Sequence, residues 1–486
     1  MNRRSVPALV LLLVGGGALV YAGNESPAVA DPYFSTPAGS WMPAVSEEAA
    51  LTGSWFCPGV PATGEPGVGG EVVIANRDDD RLVGRFSIRT AEGLQVEEAL
   101  TVEPWSREII DVDAYVTASY ASVVVEIDGG RGFVEQRSIH PAGDSVAPCS
   151  NDTSGEWYLA DGFTVDGSAD TLILTNPYDD AAVVDLTFAT SSGEARPTAF
   201  QGFTILPQSV ETIQMGQAGL GARDEEVIAV HVGAERGRLV VGRAQHYLGG
   251  GRLGHQVTLA APALRDQFWF ADGETGPGIT ETYPIYNPTG SDVQVDVVFL
   301  GLPLDAGFSD ITVEVPAHQV VVFDPSADDS GITLPEGRHA AVFSTLADPS
   351  IVVERVLTRP AGDSVATTVV LGAPPRLDGF VASRWHLGIG PSEPAASALV
   401  IYNVDNVDGT VSIESVGPSG PSAVASLTDI PIAAGSVTAI DLVDPDVIDR
   451  ELIVQTTNRV FVERLLPRGG ELIGRSGSWA MPSAAS

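Results

Sequence analysis

The chain has 486 residues with 63 acidic and 26 basic side chains, every basic one an arginine, giving a formal net charge of -37. That balance excludes a nucleic-acid binder held by phosphate contacts, which needs clustered positive charge, and works against attraction to an anionic membrane surface. Hydrophobic residues at 44% can fill several cores, and 53 Gly with 34 Pro stays below the level of wholesale disorder.

In chain order, Arg3 and Arg4 precede an uncharged apolar run from Val6 to Ala22. As a helix this run spans about 26 Å, slightly short of a ~30 Å hydrocarbon core. One outcome is a single membrane anchor over 1–23, with the arginine pair inside and the C-terminal bulk extracellular. The other is a secretory signal peptide, cleaved after Ala22 or after Ala28-Val29-Ala30, which leaves a secreted protein. The Ala-x-Ala site lies far beyond the apolar run, so the anchor is favoured, with 24–50 as a stalk. Two cysteines follow, Cys57 and Cys149, and in an exported chain such a pair is expected to form a disulfide.

Internal repetition dominates the rest. An aromatic segment opens each unit: Ser54-Trp55-Phe56, Glu156-Trp157-Tyr158, Phe268-Trp269-Phe270 and Arg384-Trp385-His386. An apolar strand ending in Asn76, Asn176, Asn287 or Asn403 comes next, and a strand ending in Arg137, Arg243, Arg355 or Arg464 comes last. The heptapeptide Pro-Ala-Gly-Asp-Ser-Val-Ala occurs verbatim at 141–147 and 360–366. Four divergent copies are therefore expected, at 51–150 (with the disulfide), 151–262, 263–378 and 379–486. In the second copy, strands are predicted at 157–160, 171–175, 182–189, 200–206, 209–215, 227–233, 238–245 and 255–260, rich in Val, Ile, Leu, Thr and Phe between turn residues. The predicted fold class is all-β: four tandem immunoglobulin-like β-sandwich modules after one N-terminal transmembrane or signal helix. Joined end to end they make a rod or arc. The alternative is a closed arrangement, suggested by the likeness of Gly39-Ser40-Trp41-Met42-Pro43 to Gly477-Ser478-Trp479-Ala480-Met481-Pro482.

The succession Trp-Tyr-x-Ala-Asp-Gly at 157–162, apolar strand to Asn176-Pro177 or Asn287-Pro288, and Val-rich strand to arginine resembles a repeat of exported proteins of high-GC Gram-positive (actinobacterial) bacteria. That resemblance implies a membrane-anchored family of unknown function, and it supplies no catalytic residue. Copies one and four depart from it, since Asn76 and Asn403 lack the following proline.

Strand alternation places Arg355 on the face of Ile351, Val353 and Leu357, so its charge needs a partner there. A structural ion pair near a domain junction is one reading of the recurrent arginines. A ladder of Arg137, Arg243, Arg355 and Arg464 gripping an anionic polymer is the other. Trp157, Trp269 and Trp385 either pack sandwich cores or offer sugar-stacking platforms. Asp78-Asp79-Asp80, Asp179-Asp180, Asp405 and Asp408 read as turn residues rather than calcium ligands. The histidines are scattered and no His-Glu-x-x-His, Gly-x-Ser-x-Gly or P-loop motif occurs. No catalytic residue, metal site or cofactor is assigned.

The expected function is a non-catalytic, envelope-facing scaffold or adhesion-type protein that binds another cell-envelope component. The alternative is a carbohydrate-binding protein contacting wall polysaccharide, and a polysaccharide-processing enzyme ranks behind both. The expected partners are an envelope protein or wall polysaccharide, with membrane contact through the N-terminal helix and none with nucleic acid.

Overall fold

The structure, a computed structural model, describes residues 42–45, 52–129, 131–217, 219–302, 311–328, 330–346, 348–374, 382–392, 397–469 and 472–483. The predicted helix at 1–23 and most of the predicted stalk lie outside the described residues. Among the described residues every regular element is a strand or a short 3-10 turn, and no helix is long and apolar enough to cross a membrane.

One strand plan recurs four times. In the first repeat an aromatic strand (Gly53–Ala62) starts a sheet that continues through Ala118–Ile127, Leu82–Thr90 and Gly93–Val102. A second sheet runs Arg107–Asp111, Gly69–Asn76, Gly132–Ile139 and Ser145–Pro148. Its last three members recur throughout. The asparagine strands are Gly69–Asn76, Ala169–Asn176, Thr280–Asn287 and Ala398–Asn403. The clamp strands are Gly132–Ile139, Val240–Gly249, Val352–Ala361 and the second half of Glu451–Pro467. The axial strands are Ser145–Pro148, Arg252–Leu259, Ser364–Leu371 and Arg475–Trp479. In the fourth repeat Glu451–Pro467 is continuous, pairing with the aromatic strand Ala382–Leu387 in its first half and with Ala398–Asn403 in its second.

The sandwich expectation holds, because inner faces of both sheets meet in one core; in the first repeat Val72 and Ile74 join Phe86, Val123 and Val125. The immunoglobulin expectation needs correction. Pairing of the second strand with the fifth and of the third with the sixth matches an immunoglobulin sandwich. The first strand, however, pairs with the sixth, and the seventh pairs with the second, so the flanking strands have traded sheets. The strands predicted in the second copy are otherwise present, with 200–206 reduced to Phe203–Ile205 and an extra short strand at Gly193–Ala195.

Burial along single strands explains how the repeats associate. Val293–Leu300 in a first sheet alternates between buried and accessible residues, the signature of one wet face. Ala398–Asn403 in a second sheet is buried at every position. Its inner face fills the sandwich and its outer face meets the neighbouring repeat.

The rod is replaced by a closed ring. The four axial strands touch one another in cyclic order, the last returning to the first. Ser145 Oγ accepts from Val257 N (3.0 Å), Phe163 and Tyr247 of the second repeat pack on Val356 and Val369 of the third, and Trp479 Nε1 donates to Leu371 O (2.7 Å). The chain ends meet where Val45 N donates to Pro482 O (2.8 Å). Residues 42–45 therefore belong to the fold rather than to a stalk. Met42 is buried and helps line an apolar axial cavity of about 50 Å³, with Val257, Val369 and Trp479. Residues 41–486 form one compact unit.

Candidate functional site

Each junction places the clamp strand of one repeat against the start of the preceding one, and three of the four junctions carry the same ion pair. Arg243 Nη2 lies 2.9 Å from Glu354 Oε1, and Glu354 Oε2 accepts the backbone N–H groups of Ala160 (2.7 Å) and Asp161 (2.6 Å). Arg355 makes a bidentate contact with Glu463 (3.0 and 2.8 Å), which accepts from Ala271 N and Asp272 N. Arg464 grips Glu135 (3.1 and 2.6 Å), which accepts from Gly388 N and Ile389 N, and thereby joins the fourth repeat to the first. All six side chains are at most 1% exposed. Glu354 accepts three hydrogen bonds and Glu463 and Glu135 four each, as buried carboxylates require.

The remaining junction, between the first and second repeats, has Gln136 and Gly242 at these positions. The partner backbone there begins with Pro58, which has no N–H to satisfy. A Cβ on Gly242 would sit 2.7 Å from the Pro58 Cβ, so the missing carboxylate and the close approach go together.

This geometry corrects the arginine series. Gln136, Arg243 and Arg464 each pair with the residue four positions before the recurrent asparagine, whereas Arg137 pairs with Glu71, one step further. Arg137 thus lies on the opposite strand face from the other three. The aromatic series slips by one in the same way. Phe268, fully buried, occupies the place of Trp157 and Trp385, while Trp269 is half-buried and stacks on Phe461 (5.4 Å) and Tyr402 (6.2 Å) of the next repeat. Trp157 Nε1 donates to Leu239 O and Trp385 Nε1 to Ala382 O, and both rings are buried. Neither offers a face to a sugar in the closed ring.

The recurrent asparagines are buried staples. Asn76 Nδ2 donates to the carbonyls of Asp80, Val102 and Glu103, and its Oδ1 accepts from Asp78 N. Asn176, Asn287 and Asn403 repeat the pattern, each fixing the turn that follows it. The aspartates after them sit in these turns. Cys57 and Cys149 form the expected disulfide, with Cα atoms 4.2 Å apart. The heptapeptide adopts two structures. At 141–147 Asp144 folds back onto Arg137 (2.6 Å), whereas at 360–366 Asp363 stands exposed at a two-residue hairpin tip.

Sequence reasoning missed Arg468. Its side chain is fully buried near the axis, donating from Nη1 to His255 O (3.0 Å), from Nη2 to Thr367 O and from Nε to Arg475 O. Burial lowers its pKa to about 10. Gly143 and Gly254, at φ 113° and 129°, flank it, and a Cβ on either would approach the guanidinium to 2.9 or 2.6 Å. Beside it lies a histidine cluster, His140 stacked on His255 (4.3 Å) and edge-on to His246 (4.7 Å). Among the described residues no group of three or more His, Cys, Asp and Glu could hold a metal ion.

Asp170, near the second clamp, has both carboxylate oxygens buried without a hydrogen-bond partner. Burial raises its pKa to about 7; Arg243 opposes the rise, and Asp161 and Glu354 reinforce it. The folded state therefore holds a proton between about pH 4 and 7 that the unfolded chain has released. Stability from this group falls as pH rises through that window. Asp170→Asn is expected to raise the melting temperature at pH 8 and to gain little at pH 4, the difference approaching about 4 kcal/mol at most. Thermal unfolding of both proteins across this range measures it.

Fold and junctions together define a class: a repeat protein in which β-sandwich units close on themselves through buried Arg–Glu clamps. The chain belongs to the family of unknown function DUF5719, whose model matches residues 140–246 and 257–455. No curated protein matches it. A crystal structure described as Thermotoga maritima 1070 is similar over 22% of this chain and 94% of its own, at 16% identity and a TM-score of 0.20. A tetra-tandem repeat in the extending region of a large adhesion protein aligns over 88% of this chain and 99% of its own, at 12% identity and a TM-score of 0.08.

Proposed function

We propose that the protein is a non-catalytic, envelope-facing scaffold of four sandwich modules that binds another cell-envelope component through its outer surface. In this reading residues 1–23 tether it to the membrane, or are removed on secretion. The disulfide supports an oxidising compartment outside the cytosol. The observation that carries the proposal is the burial of Arg243, Arg355, Arg464, Trp157 and Trp385 in the interior. These side chains hold the ring together, and a partner meets an acidic exterior with scattered apolar residues such as Leu206 (55% exposed) and Val443 (60% exposed). Photo-crosslinking residues placed at Tyr115, Leu206 and Val443 in intact cells should give a discrete adduct with an envelope protein. Retention on isolated wall polysaccharide without any protein adduct would replace the scaffold with the carbohydrate-binding reading.

A further inference from the structure

The junction between the fourth and first repeats differs from the other three on its outer sheet face. Its outer sheet face carries the cross-strand pair Glu71 and Arg137, where the equivalent pairs are Thr171 and Ala244, Thr282 and Val356, and Ala398 and Leu465. Ala244 and Val356 are buried in apolar contacts across their junctions, and Leu465 is buried with Ala398 and Val400 of its own repeat. At Arg137 the packing opens instead into a cleft of about 130 Å³.

The cleft has an apolar floor and a polar rim. Val73, Val146, Ile389 and Leu466 form the floor as one cluster. On the rim Arg137 is already paired with Asp144 (2.6 Å) and Glu71 (3.6 Å). Arg107 donates to the carbonyls of Gly388 (3.1 Å) and Asp449 (2.7 Å). Ser476 also lines the cleft, and its Oγ is buried without a hydrogen-bond partner. An unsatisfied buried hydroxyl is costly unless something in the cleft completes it.

We propose that this cleft binds a neutral polyhydroxylated ligand the size of one sugar ring. Its volume lies well below the roughly 300–1,000 Å³ of drug-sized pockets, which limits the occupant to one ring. The two arginines are committed to carboxylates and carbonyls, so no free countercharge awaits an ionic ligand. Alternating carboxylate, guanidinium and hydroxyl groups match a molecule whose every hydroxyl both donates and accepts, and the aliphatic floor suits the C–H face of the ring. The inference goes beyond the scaffold reading and stands whichever partner docks on the exterior.

Saturation-transfer NMR tests it on the full-length protein, with the methyl glycosides of glucose, galactose and mannose, and of glucuronate as the charged comparison. At least one neutral glycoside should receive saturation from protein methyl groups. Ser392→Trp, on the exposed rim, should weaken that binding by at least about tenfold without changing the far-ultraviolet spectrum. Arg137→Leu, which replaces the rim guanidinium with the aliphatic residue found at the equivalent position 465, should do the same. The proposal is overturned if no neutral glycoside receives saturation, if transfer survives unchanged in folded Ser392→Trp, or if the glucuronide is preferred.

Discussion

Glu463→Ala is expected to destabilise the protein by about 3–5 kcal/mol, because it leaves Arg355 buried with only Asp272, 3.8 Å away, as counter-charge. The same change strips the acceptor from the N–H groups of Ala271 and Asp272. The deficit should appear in urea denaturation as a lower midpoint. Combining Arg355→Met with Glu463→Leu should recover much of the loss, since a buried pair replaced by packed apolar side chains is often neutral. An equal loss in the double variant would mean that the two backbone N–H groups, rather than the guanidinium, carry the energetic weight. The first junction is a natural counterpart: Gly242 faces Pro58, which has no N–H, and the N–H of Gly59 donates to Gln136 Oε1 (3.3 Å).

The second large effect is expected at the disulfide. Replacing Cys57 and Cys149 together with alanine releases a closure of 92 residues, worth about 4–5 kcal/mol in the chain-entropy model. Both cysteines are buried in the core of the first repeat, the repeat whose junction with the second lacks an ion pair. The reduced wild-type protein should unfold at the same urea concentration as the double variant. A reduced protein indistinguishable from the oxidised one would show that the ring, not the cross-link, holds this repeat together.

Much of the fold was legible, and the errors share one cause. Tryptophan, asparagine and arginine landmarks recur along the chain because each does a positional job: filling a core, stapling a turn or entering a junction. Which face a landmark occupies was harder to read. A one-residue slip in a strand sends a side chain to the opposite side of the sheet, and matching the letters Arg137 and Trp269 made that slip twice. A signal did exist, since Val134-Glu135, Val353-Glu354 and Val462-Glu463 align the clamp carboxylates and would have put Gln136 in register with Arg355 and Arg464. The ring was foreshadowed by the likeness of the chain ends and by asparagine strands apolar on both faces. Arg468 left no trace in the sequence, because its partners are backbone carbonyls, which every residue has. The seam cleft was equally invisible, being the difference between one junction and three others.

The order in which the chain emerges gives the ring a consequence for biogenesis. A string of independent sandwiches could fold one bead at a time as each left the ribosome or the export channel. Here Glu135 waits for Arg464, Arg77 for Glu451 and Val45 for Pro482, contacts that span most of the polypeptide. The first repeat is therefore left with an unmatched carboxylate and an open apolar flank until the last segment arrives. Assembly is governed by its slowest and most distant closure, so the nascent protein stays vulnerable to proteases and to mispairing with other chains until synthesis ends.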